Sequence, residues 1–402
     1  MPERALEGLR VIDISQGIAG PYCTKLLADS GALVTKVEPP GGDYCRRLGP
    51  FPNDVPDPER AGLFMHLNTG KRSVSLDVTV ASGQAVLKKM LANADVFVAG
   101  ARTSDLRSAG LSYDDLRGDF PELIVAQISP FGASGPYAEY DGNSLTAMAM
   151  STIMYNTGDP EREPLTTGGN PGEYVAGIHL WIGILAALEN RARIGGGEHV
   201  DVGMADAVAA ADEYNAAMYA FQGAIRRRYY SRHIFGYPND IMECADGHVV
   251  VIPGAAGFPT PLTKDTISPM ALLFEDPDLN QHELFVSAGA RMIKWREFDE
   301  LVKPYMSTHT AAEIVETAQA LRMPFAYVPN AADLLANEHL AARGFFHDLD
   351  GYRIPGAPFR MSETPLTMGP PPALGSANEE VIVGELGYEQ GDLAVLTDRG
   401  VS

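Results

Sequence analysis

Short β-branched and apolar runs alternate with segments of helical spacing through residues 1–130. Leu9–Ile14 reads as a strand, Pro21–Ser30 as a helix with proline in its first turn, and Ala32–Val37 as a second strand. Strands at Ser73–Leu76, Asp95–Val98 and Ile124–Ile128 follow, with a helix at Ser82–Ala92. Strands that alternate with crossover helices predict an α/β fold: a doubly wound parallel sheet with helices on both faces. The apolar run Val175–Leu188 reads as a buried helix. Gly195–Gly197 turns into a strand at His199–Val202, and Met204–Ala220 has helical spacing. The basic run Arg226–Arg228 marks a composition shift, after which residues 225–325 read as a smaller α+β unit with a hairpin-like stretch at Asp246–Ile252. Beyond Pro329 the chain is proline-rich, and a last helix lies near Glu389–Arg399.

Composition narrows the function classes. The 402 residues carry a net charge of −21, which argues against nucleic-acid or anionic-membrane partners, because both need a cationic surface. An anionic ligand must then meet a local basic cluster. Cys23, Cys45 and Cys244 have neither metal-ligand nor redox spacing, so free thiols, no metal site and a cytoplasmic location are expected. The N-terminus lacks a charged segment followed by an apolar one, and Val175–Leu188 falls short of the ~20 residues that span a bilayer.

Chemistry concentrates at glycine turns. Glu173 stands between Gly168-Gly-Asn-Pro-Gly172 and the first turn of the long apolar helix, where unpaired backbone N–H groups and the helix dipole favour an ionised carboxylate. Asp13–Pro21 is a strand, a glycine turn and a helix start, and Glu38 ends the second strand, where a dinucleotide-binding fold keeps its ribose-binding acid. The turn offers only Gly17 and Gly20 followed by Pro21, so the G-x-G-x-x-G spacing is absent and no NAD site is expected. Lys71 and Arg72 sit in a turn that feeds a strand, where cations could reach an anion above the sheet edge or simply be solvated.

Taken together, Val11–Asp29, Gly31–Asp43, Asn68–Asp77, Ala94–Val98, Ile128–Tyr137, Gly177–Met204, Pro324–Phe346 and Pro358–Leu386 resemble the family III CoA-transferases. That group includes the formyl-CoA:oxalate and crotonobetainyl-CoA:carnitine CoA-transferases and the α-methylacyl-CoA racemases. The resemblance implies a large CoA-binding domain made of residues 1–224 and 326–402, a small domain at 225–325, and an interlocked homodimer. It implies acyl-CoA and a small carboxylic acid as substrates. Family transferases use an aspartate at the start of the long helix as nucleophile, and Gly172-Glu173-Tyr-Val-Ala-Gly177 occupies its Gly-Asp-x-x-x-Gly position. By family position Ile18, Ala19 and Leu76 lie near the adenine and pantetheine, while Gly100, Arg102, Lys71 and Arg72 attend the cofactor and its phosphates. The racemase branch uses a His-Asp pair where this chain has Tyr140-Asp141, and a phenol with a reference pKa of about 10 is poorly matched to base work near neutral pH. His179, the imidazole nearest Glu173 in sequence, reads as a packed core histidine. Two alternatives stay open: another acyl-CoA reaction (isomerisation, elimination or hydrolysis) with Glu173 as base, and a non-catalytic subunit that pairs with an active homologue.

Overall fold

The computed structural model describes residues 4–232, 236–254, 257–260 and 266–402. Six strands lie parallel in one sheet: β1 (Arg10–Asp13), β2 (Leu33–Glu38), β3 (Arg72–Ser75), β4 (Val96–Ala99), β5 (Ile124–Ser129) and β6 (His199–Gly203). Their order is β3-β2-β1-β4-β5-β6, and each neighbouring pair is parallel. Because side chains alternate along a strand, one sheet supplies two cores. Val11, Val34, Val96, Val98, Ile124 and Ala126 point to one face, where they meet Cys23 and Leu27 of the first helix, Ala19–Asp29, and Leu180 and Ile184 of the long helix, Pro171–Ile194. Ile12, Val37, Val74, Phe97, Ala99 and Val125 point to the other, under Val86 and Leu87 of helix Ala81–Leu91 and Val381, Ile382, Leu396 and Val401. The sheet and its helices on both faces match the pattern in the sequence.

The chain forms two compact units, one of residues 1–153, 166–224 and 340–402, the other of 154–165 and 225–339. The sheet belongs to the first. In the second, Asp240–Cys244 and Gly247–Val251 pair antiparallel, and Ala326–Tyr327 pairs with the latter strand. The hairpin therefore starts before the expected Asp246–Ile252, whose first residue lies in its turn. Phe258, Phe285, Phe298 and Tyr237 fill its core with edge-on and stacked ring pairs. Arg228, from the basic run, donates to the carbonyls of Tyr155, Asp159 and Arg162 and so ties residues 154–165 into this unit.

The helical stretch Met204–Ala220 divides into two helices, Met204–Ala211 and Glu213–Gln222. One expectation is corrected. The long helix is not buried all round: Gly172, Ala176, Gly177, Leu180, Ile184 and Ala187 are buried, whereas Ile178 and Ile182 are exposed. At 24 residues it is long and apolar enough to cross a membrane by length and composition. Its buried stripe is nonetheless continuous with the sheet core.

Candidate active site

In an open parallel sheet, ligands bind beyond the carboxyl ends of the strands, at the point where the strand order reverses. Here that point lies between β1 and β4. The residues that leave β1 run Ile14-Ser15-Gln16-Gly17, and those that leave β4 begin with Gly100, which packs against Ser15. The long helix precedes β6 and starts at this same edge, with Pro171 at its first position, where a missing N–H costs nothing. Glu173 is the acid of its first turn.

The Glu173 carboxylate is half-buried and makes no hydrogen bond or ion pair among the described residues. Burial raises its carboxyl above the usual glutamate range. The Tyr174 ring meets Tyr22 edge-on with centroids 4.8 Å apart. Tyr44 and Cys45, in the turn after β2, are close enough for the Glu173 charge to act on both. Burial pushes the Cys45 thiol up to about 12, with Asp43 and Glu173 adding to it, and raises the Tyr44 phenol as well. The site is thus a carboxylate at a helix start with no partner among the described residues, close to phenols and a protonated thiol.

Beneath it lies a buried set of charges. Asp13 accepts from Ser15 N and Ser15 Oγ and from Thr24 Oγ1, and pairs with Lys71 at 3.5 Å. Burial alone would raise its carboxyl, but Lys36 and Lys71 outweigh that and lower it. Lys36 Nζ donates to Ser15 O at 2.7 Å and pairs with Asp43 Oδ2 at 2.9 Å. Glu38 holds Arg46 through two bonds of 2.7 and 2.9 Å. Glu38 is therefore committed to a guanidinium, which leaves it unsuited to binding ribose hydroxyls.

Three comparisons bear on this arrangement. Residues 6–378 match the model of CoA-transferase family III. The chain belongs to that family. The transferase is 32% identical to succinyl-CoA:mesaconate CoA-transferase of Haloarcula hispanica, over 98% of this chain and 99% of that one. It is 31% identical to succinyl-CoA:(R)-benzylsuccinate CoA-transferase subunit BbsE of Thauera aromatica, over 94% and 93%. A crystal structure of a CAIB/BAIF family protein from Brucella suis superposes with a TM-score of 0.85 at 28% identity, covering 95% of this chain and 99% of that one. The protein is an enzyme that handles acyl-CoA substrates, as family membership implies.

The structure places the expected site residues of the transferase in different settings. Lys71 is buried and bonded to Asp13, Asn68 Oδ1 and the Pro21 carbonyl, so its ammonium is already engaged inside the protein. Arg72 begins β3, at the sheet edge opposite Glu173, and its guanidinium is held by Glu380 and Glu385. Leu76 follows β3 at the correct edge, but its side chain is packed with Val37 and Val86 in the core. Ile18 and Ala19 are buried at the start of the first helix. Arg102 is the exception among the three cations. It follows β4 at the crevice edge, partly exposed, and pairs with Asp105 at 2.9 Å and Asp141 at 2.8 Å. Tyr140 is exposed and clusters with Phe131 and Tyr137. His179 is exposed too, not a core histidine. Its Nδ1 donates to Val175 O at 2.8 Å, and it lies about 240° around the helix from Glu173. Sequence reasoning missed Asp43, Tyr44 and Cys45, which sit in a short 3₁₀ turn with no periodic pattern to mark it.

Proposed function

We propose that the transferase moves CoA from an acyl-CoA thioester to a carboxylic acid, with Glu173 as the acyl-accepting nucleophile. The supporting observation is the Glu173 carboxylate itself, half-buried at the helix start beside the crevice and held by no partner among the described residues. A nucleophile needs free lone pairs, and a structural glutamate in a folded unit usually spends them.

In the first step a Glu173 oxygen attacks the thioester carbonyl, the C–S bond breaks, and CoA leaves as thiolate. The thiolate attacks the Glu173 carbonyl of the resulting anhydride and expels the first acid, leaving a glutamyl thioester of CoA. The acceptor carboxylate attacks that thioester and releases the thiolate again. The thiolate then takes the acceptor's acyl carbon and restores Glu173. Each step keeps the acyl group activated, and this is how covalent catalysis divides the barrier. Gly100 and Arg102 stand on the cofactor side of this reading, and an interlocked homodimer in the cytoplasm is its assembly and location.

Intact-mass measurement after incubation with a panel of acyl-CoA thioesters tests the proposal. An enzyme-bound CoA adduct that maps to Glu173 is expected; no adduct with any donor overturns it. A second reading, in which this chain works only beside a homologous subunit, is favoured by the Thauera relative's being named a subunit. Adduct formation by the purified chain alone removes that reading.

A further inference from the structure

The carboxylate of Asp43 is fully buried and joins two turns that are far apart in sequence. Its Oδ1 accepts the Gly17 N–H at 3.2 Å and the Cys45 N–H at 2.9 Å, and Oδ2 lies 3.3 Å from the same Gly17 nitrogen. Lys36, which pairs with Oδ2 at 2.9 Å, also holds Ser15 O. One carboxylate and one ammonium therefore fix a carbonyl at 15 and amides at 17 and 45 in a single cradle. The Asp43 amide is itself tied to Glu38 Oε2 at 3.0 Å, so this residue cannot pivot. Gly17 has φ +82°, and a Cβ there would meet the Tyr44 hydroxyl and lie 2.8 Å from Cζ. Tyr44, partly exposed, has its ring against the Gly17 turn, and two residues further on the Ala19 carbonyl meets Gly177, one turn along the long helix from Glu173, whose charge reaches Tyr44.

We infer that Asp43 is a positioning residue for acyl transfer at Glu173: by gripping the Gly17 and Cys45 amides it holds Tyr44 in the register that walls the nucleophile. Asp43 touches no reacting atom and acts through Tyr44. The inference rests on Glu173 as nucleophile. A wall that slips by ~1 Å costs on the order of 100-fold in rate.

The test measures the rate of CoA-adduct formation at saturating and sub-saturating acyl-CoA in the full chain, for Asp43→Asn, Tyr44→Ala and the double variant. Asp43→Asn keeps one oxygen acceptor and loses the charge. It is expected to lower kcat ~10–100-fold with KM within about threefold of wild type. In the Tyr44→Ala background the same change is expected to lose most of its effect, because the group it positions is gone. A purely structural role would lower the melting temperature and the active fraction without this coupling. The inference is overturned if Asp43→Asn transfers at the wild-type rate, if KM rises with kcat unchanged, or if the loss is equal in both backgrounds. Should Asp43→Asn fail to fold, Lys36→Arg, which keeps a cation beside Asp43 but not the single ammonium that spans Ser15 O and Asp43, is judged by the same outcomes. Absence of any adduct in the wild type instead removes the Glu173 reading and this inference with it, so the two failures are distinguishable.

Discussion

Gly177 rests on the carbonyl oxygen of Ala19: a Cβ at position 177 would lie 2.5 Å from that oxygen. The long helix and the first helix thus meet backbone to backbone, one turn beyond Glu173. A main-chain oxygen at a helix start has nowhere to retreat, so Gly177→Ala must push the long helix away and carry Glu173 with it. We expect a loss of ~10–100-fold in kcat, since such displacements are of the order of an ångström. Steady-state kinetics on folded protein check this, and wild-type kcat in Gly177→Ala would show that the two helices can part without consequence.

Glu173→Gln should abolish transfer and stabilise the fold. Burial raises the Glu173 carboxyl, so its folded-state pKa exceeds the unfolded one. Ionised Glu173 therefore costs stability, in full above the folded pKa; the cost shrinks as pH falls through the folded pKa and is gone below the unfolded one. The melting temperature of Glu173→Gln should exceed that of wild type at pH 7.5, and the gap should close toward pH 4. The same shift predicts that wild-type adduct formation declines with acid at a pH above the usual glutamate range. Scanning calorimetry across that window, with adduct rates alongside, reads both effects.

Glu173→Asp retracts the carboxylate by about one C–C bond, ~1.5 Å. Tyr44, Cys45 and Tyr174 lie near enough to feel the charge of the longer side chain, and the turn that carries the first two is held by Asp43. A fixed wall cannot follow the retreating carboxylate. Transfer should fall on the order of 100-fold although aspartate is the more usual family residue. Equal or higher activity in Glu173→Asp would show instead that the pocket tolerates either length.

Arg102 should matter to CoA more than to pantetheine, which lacks the nucleotide phosphates. Its guanidinium is at the crevice edge and shared by two carboxylates, one of them, Asp141, almost fully exposed. An exposed pair of this kind is held weakly and can be exchanged for a phosphate. Calorimetric titration of Arg102→Ala should show a weaker Kd for CoA and an unchanged one for pantetheine; equal changes would take Arg102 out of the phosphate site.

The alternation of apolar runs and helical spacing was enough to locate all six strands of the sheet: β1, β2, β4 and β5 are buried on both faces and so mostly apolar, while β3 and β6 at the edges were marked by the turns before them. Glu173 stood out for a similar local reason, a lone acid between glycines and an apolar helix. The fate of Lys71 was hidden: a Lys-Arg pair in a turn looks solvated, and its partner Asp13 lies 58 residues away. Arg72 faced the wrong way because residue type does not say which end of a strand it occupies until the pairing register is known. Asp43, Tyr44 and Cys45 were silent for a third reason. Their importance comes from hydrogen bonds to the Gly17 turn, and a 3₁₀ turn has no repeat to reveal them.

One face of the sheet is closed late. Val381, Ile382, Leu396 and Val401 cover Ile12, Val74 and Phe97, and the Val401 carbonyl takes the Asp77 N–H at 2.7 Å. A ribosome that has made residues 1–376 has already made all six strands, the Glu173 helix and the helix Ala81–Leu91 that covers part of this face, yet the rest of its cover is missing. At 5–20 residues per second the gap lasts roughly a few seconds. Through that interval Val74 and Phe97 lack these partners, and exposed apolar surface of this kind is what makes a partly made chain prone to aggregate.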